Sequence, residues 1–200
     1  PSFYRPDQTL VLTTRLGSDH PPAYDSRSLR YSAVLERYLP PIITLGGGLA
    51  VKQAHIAQFD VKKGFPLLSW ILYGELDARR EWGGNLSVRE EIVYGIKRED
   101  VYFKGMVIYA HHLRLVSAPL LTLDGRITLG SIDSVLLEDI PADERFYAGG
   151  SGTVRGYSYQ TVGPLRDGDP IGGRSLLAVS AELSVEVIDS MGMALFIDGG

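Results

Sequence analysis

The chain has 200 residues, is 44% hydrophobic with a mean hydropathy of +0.02, and carries a formal charge of −4 at neutral pH. Its 20 Lys and Arg are scattered through an acidic chain, with no clustered basic surface, which argues against a nucleic-acid partner. The absence of cysteine excludes a disulfide framework, a thiolate metal site and a cysteine nucleophile, and no apolar run reaches the ~18 residues a membrane-spanning helix needs.

Helical periodicity is almost absent, whereas period-2 alternation recurs along the chain. The first candidate strands are 9–17, 28–39, 42–56, 67–78 and 86–98, separated by turn clusters such as GSDHPPAYDS, PP and WGGN. The next, 101–115, sets Val101, Phe103, Val107, Tyr109, Leu113 and Leu115 against Tyr102, Lys104 and Arg114, with Met106 and Ile108 out of place on the polar side. In 121–131, Leu121, Leu123, Ile127 and Leu129 oppose Thr122, Asp124, Arg126 and Thr128. After a long irregular stretch, 175–187 puts Leu177, Val179, Ala181, Leu183, Val185 and Val187 on one face and Ser180, Glu182, Ser184 and Glu186 on the other. A last strand, 192–198, shares Ala194, Phe196 and Asp198 on one side.

These strands are longer than the five or six residues usual in soluble sheets and match the roughly nine to eleven needed to cross a bilayer at a tilt. The expected fold is all-β, an antiparallel transmembrane β-barrel, with outward odd positions in 121–129 and 175–187. Tyr24, Tyr38, Trp82 and Tyr102 stand near strand ends, where the aromatic girdles of membrane barrels lie. A soluble β-barrel for a small apolar ligand is the reading from another class. The chain opens on Pro1 and stops inside the alternating run MALFIDGG, so it reads as a piece of a longer mature protein.

Catalytic and ligand-binding patterns are weak. Gly150, Gly152 and Gly156 loosely imitate a dinucleotide fingerprint, but YSYQTVGPLRDGDPIGG follows, where that fingerprint requires a helix. Ser151 misses the nucleophile-elbow pattern. His111 and His112 are neighbours on a strand and point to opposite faces, so they do not chelate one ion, and Glu90–Glu91 and Glu99–Asp100 read as solvated or lumen-facing. The expectation is no enzyme activity, no cofactor and no metal.

The segment RFYAGGSGTVRGYSYQ places Arg155 at the tip of a glycine-rich loop. By strand parity Glu182 and Asp198 share the lumen, and a guanidinium is the group best suited to bridge two carboxylates. Spacing alone leaves the three equally open to being independent solvated charges.

RFYAGGSGTVRGYSYQTVGP, then GGRSLLAVSAELSV, then MALFIDGG resemble the C-terminal barrel of the outer-membrane assembly superfamily of bacterial surface antigens, which holds the BamA-like and TamA-like proteins. The likeness is strongest to the TamA-like branch, the outer-membrane subunit of the translocation and assembly module. The opening PSFYRPDQTL and YDSRSLRYSAVLER also resemble early barrel strands of that branch. The family's lid-loop motif falls on Val154, Arg155, Gly156 and Tyr157, preceded by Arg145 to Gly150 with its pair Gly149 and Gly150, and its strand acids fall on Glu182 and Asp198. A mid-barrel P-T-R-G turn of the family has no counterpart, DARREWGGN standing near its place.

The resemblance implies that 1–200 is part of a sixteen-stranded barrel, with about nine strands present and a lid loop over 133–174. On that reading Arg155 pins the loop in the lumen by salt bridges to Asp198 and Glu182, while Gly149, Gly150, Gly152 and Gly156 allow the tight backbone. It implies a non-enzymatic assembly factor in the bacterial outer membrane, contacting outer-membrane lipid. Its clients would be unfolded outer-membrane proteins or autotransporters, and its partner an inner-membrane-anchored subunit. A two-partner-secretion transporter is the sibling reading, and a passive porin-like channel the other.

Overall fold

The computed structural model describes residues 7–59, 61–117, 119–133, 135–188 and 191–200. Residues 1–6 of the opening segment lie outside the described residues. The strands in chain order are β1 (Gln8–Asp19), β2 (Asp25–Leu39), β3 (Ile43–Gln58), β4 (Val61–Ala78), β5 (Gly84–Gly95), β6 (Asp100–Ser117) and β7 (Leu120–Asp133). The long connection that follows holds two 3₁₀ turns, Leu137–Asp139 and Ala142–Glu144, and a small hairpin of β8 (Leu165–Arg166) and β9 (Asp169–Pro170). It delivers the chain to β10 (Ser175–Ile188) and β11 (Met191–Gly199).

Nine of these strands form one antiparallel sheet in the order β1-β2-β3-β4-β5-β6-β7-β10-β11, so each pairs with the next large strand along the chain. All nine expected strands are present, with ends displaced by a few residues. Among the described residues no helix is long and apolar enough to cross a membrane, which leaves a β-barrel untouched as a reading.

Cross-strand register explains why alternation carries so much of the fold. Residues directly opposite share a face. One row therefore runs Leu12, Ala33, Leu49, Trp70, Ile92, Phe103 across six strands. A second runs Val88, Val107, Leu129, Leu177. Both lie on the outer face, where Leu12 is 72% and Leu177 56% exposed. The expected outward positions Leu123, Ile127, Leu129, Leu177, Val179 and Leu183 are all exposed there. An apolar face of that extent is unsuited to water.

The part of the inner face nearest the loop is covered by the connection between β7 and β10. Its packing core joins Leu67, Val93, Tyr102, Ile132, Ile140 and Phe146, with Met106 and Leu176 against it. Gly130 makes the closest approach possible, because a Cβ there would stand 2.6 Å from the Phe146 ring. Met106 thus breaks the polar alternation of β6 for a physical reason, since the inner face beneath the loop is dry.

The structure corrects three of the aromatic assignments. Trp82 is exposed near a strand end, but Tyr102 is 1% exposed and points inward, the Tyr24 ring packs on Tyr147 of the loop at 5.8 Å, and Tyr38, though exposed, shares the inward parity of Val34 and Glu36 on β2. Even positions of β6 face inward from the strand's start up to Arg114, beyond which a bulge turns Val116 outward. Glu90 departs in the other sense: its neighbours across the sheet are Leu72 and Gly105, so it stands on the outer face, while Glu91 is the inward member of the pair.

Candidate functional site

The site is the loop and its attachments to the sheet. Its tip is stitched by backbone bonds from Gly150 N–H to Tyr157 and from Thr153 N–H to Gly150, and the Thr153 hydroxyl accepts from Gly149 N–H at 2.8 Å. Gly149 has a φ of 104°, and a Cβ on it would lie 2.4 Å from the Ser158 carbonyl oxygen, so only glycine serves. Gly150 and Gly156 also have positive φ. Gly152 does not, and a Cβ there would meet nothing within 4 Å, so the expectation that it too is needed for the tight course is corrected.

This course carries Arg155 onto β10 and β11. Asp198 and Ser180 are opposite each other in the register, and Glu182 lies one inward position further along β10. Arg155 Nε donates to Asp198 Oδ2 at 2.7 Å and Nη2 to Asp198 Oδ1 at 2.8 Å, a fork against a carboxylate. The Arg155 backbone N–H donates to the same Oδ2 at 2.9 Å, Nη2 also reaches the Ser180 hydroxyl at 2.9 Å, and Nη1 donates to Glu182. The guanidinium lies 3.8 Å from the centre of the Phe196 ring. Hydrogen bonds to Asp198 and then Glu182 push the Arg155 pKa further up from its ordinary value. The Asp198 side chain is 3% exposed. Of the other motif residues, Val154 is buried and Tyr157 is 62% exposed.

A second attachment was missed by sequence reasoning. Glu144, 6% exposed, accepts from Lys52 of β3 and from Lys104 of β6, each at 2.7 Å. Lys52 also donates to Asp143 at 2.6 Å, and the Ser26 hydroxyl of β2 donates to the same Asp143 oxygen at 3.1 Å. Burial alone would raise the Glu144 pKa, but Lys104 and Lys52 overcome it and hold that carboxyl well below the usual range. Burial, helped by the neighbouring Glu144 charge and opposed by Lys52, pushes Asp143 upward. Arg145 then clasps the loop to itself, with Nε on the Ile140 carbonyl at 3.0 Å and Nη1 on that of Ile171 at 2.9 Å. The available signal was the inward parity of Lys52 and Lys104 together with two adjacent acids at the loop root.

His111 and His112 do lie on opposite faces: His111 stacks against Trp82 at 5.9 Å, and His112 Nδ1 is 2.7 Å from Asp124. Among the described residues no three His, Asp or Glu side chains converge as a metal-binding set. Beside Arg155 lies a polar cavity of about 290 Å³ lined by Asp124, Arg126, Thr153 and the two latch acids. Chemically the arrangement is a pair of ionic fasteners that fix a loop across the inner face of a sheet.

The outer membrane protein assembly factor BamA of Nitratidesulfovibrio vulgaris is 35% identical over 106 residues, covering 51% of this chain and 13% of that protein. The crystal structure of BamA from Haemophilus ducreyi lacking POTRA domains 1-3 matches with a TM-score of 0.72 and 13% identity, over 98% of this chain and 47% of that one, a likeness of fold. The chain thus spans less than half the length of each relative. Residues 81–200 match the Omp85 superfamily domain, more than half of the sequence, and the chain belongs to the Omp85 superfamily.

Proposed function

We propose that the chain is part of the barrel of an outer-membrane assembly factor, which takes unfolded outer-membrane proteins and helps their strands enter the bilayer. The protein resides in the bacterial outer membrane, in keeping with its superfamily and its apolar outer face. On this reading it works without catalysis, cofactor or metal, as part of a sixteen-stranded barrel. Autotransporters are the favoured clients and an inner-membrane-anchored subunit the favoured partner, following the TamA-like motifs of the loop and the last two strands.

The observation that carries the reading is Arg155, whose guanidinium joins the loop tip to acids on two neighbouring strands. A loop held in this way is a part of the barrel, and its release or retention can be coupled to the strands that a client meets. The test uses the full-length protein with Arg155→Ala. Loss of charge-assisted bonds should raise proteolysis within 145–165 roughly tenfold, and assembly of a barrel client should fall with it. Arg155→Lys should recover part of both, because an ammonium lacks the planar fork. Unchanged protection and unchanged assembly in Arg155→Ala would refute the latch. Wide steady conductance with normal assembly would instead favour a passive channel.

A further inference from the structure

Where β2, β3 and β4 end beside the loop, the outer face changes character. Arg27 of β2 stands directly opposite His55 of β3, and Lys62 of β4 is diagonal to His55, being opposite Ala57. The alternate residues Ser26, Ala54 and Ile56 are buried under the loop, so Arg27 and His55 face outward and are exposed. Gly64, the β4 neighbour of His55, adds no side chain, and the imidazole lies over it, 3.7 to 3.8 Å from where a Cβ would be. These groups border a cleft of about 610 Å³. Among the described residues, Asp25 is the one carboxylate lining it, and Asp25 is 3.3 Å from His20 Nδ1. Arg27, His55 and Lys62 have no carboxylate partner among the described residues.

The next outward row holds Leu29, Gln53 and Pro66, and below it the face is apolar, with Tyr31 and Val51 about half exposed beside Leu68. Cations at the edge of a membrane-facing apolar belt meet lipid headgroups, while the belt meets acyl chains. Lys62 alone would be an ordinary guard of a strand end. Three nitrogen-bearing side chains at one point can share an acceptor with several free oxygens, and a phosphate monoester has them.

We propose that Arg27, His55 and Lys62 form a binding site for a lipid bearing a phosphate monoester, its chains lying along Tyr31, Val51 and Leu68. The site rests on the outer-membrane location of the protein and not on the Arg155 latch.

The experiment places the full-length protein in phosphatidylcholine nanodiscs containing a minor fraction of phosphatidic acid, and measures the phosphatidic acid retained by the protein. Enrichment over the bulk fraction is expected, with affinity falling about fivefold for each of Arg27→Ala and Lys62→Ala. Arg15→Ala removes the same charge from the inner face of β1 and should leave retention unchanged. Arg155→Ala should also retain the lipid, so a failed latch and a failed lipid site are told apart. No enrichment in the unaltered protein, an equal loss in Arg15→Ala, or full displacement by millimolar inorganic phosphate would each overturn the proposal, the last by showing a site for free phosphate.

Discussion

All three nitrogens of the Arg155 guanidinium donate to acceptors on β10 and β11, and its face rests on Phe196. The partnership was half legible in the sequence. Parity placed Glu182 and Asp198 on one face, but alternation is silent about where a loop ends, and the family motif supplied that step. Glu144 was illegible for a physical reason: it sits in LEDIPADER among acids that look solvated, and its partners lie 92 and 40 residues away. Glu144→Ala leaves the half-buried Lys104 without its acid and Lys52 with Asp143 alone, and should cost about 1 to 3 kcal/mol in denaturant unfolding of the full-length protein in detergent. A cost below about 0.5 kcal/mol, the level of an ordinary surface change, would show the anchor to be idle. The pH dependence has a definite sign. Glu144 has a folded pKa below its unfolded value of about 4.3, so its contribution is complete above that pH and is lost as pH falls through the folded value. Asp143 is shifted the other way, so protonating it on descent from neutral recovers stability. Loop protection should therefore persist to about pH 5 and fail only below about pH 4.

At the scale of the strand, alternation was legible because one face of each strand meets a uniformly apolar surrounding, and a slip of one residue would invert every side chain. Where the surroundings are not uniform, the reading faltered. Met106 and Tyr102 face a dry core under the loop, and Glu90 stands between Leu72 and Gly105 on the outer face. The turns at Leu137–Asp139 and Ala142–Glu144 carry no alternating signal, and they position the second anchor. The two faces of β1 give a direct comparison, since Leu12 points outward and Thr13 inward, and both are exposed. In the full-length protein refolded into bilayers, Leu12→Arg should cost about 2 to 4 kcal/mol if it sits near mid-membrane, and Thr13→Arg about 0.5 kcal/mol or less. A larger cost for Thr13→Arg would mean that the faces have been exchanged, and equal costs that neither meets lipid.

For the molecule as a whole, the loop ties distant parts of one sheet together. Glu144 joins β3 to β6, and Arg155 joins the loop tip to β10 and β11, so the connection reaches across the inner face from β3 to β11. The sheet itself is built from neighbours along the chain, and its order follows from sequence alone. The long-range ties do not, because each depends on a few charged side chains meeting across dozens of residues. If assembly depends on the loop being held at its tip, the sign of the charges should matter more than their positions. The most direct measurement is the rate of client assembly by full-length protein carrying Arg155→Asp, Asp198→Arg, or both together. Each single exchange sets like charges against one another and should slow assembly severely, and the double exchange should restore part of the rate. Assembly at the unaltered rate in both single exchanges would contradict the account.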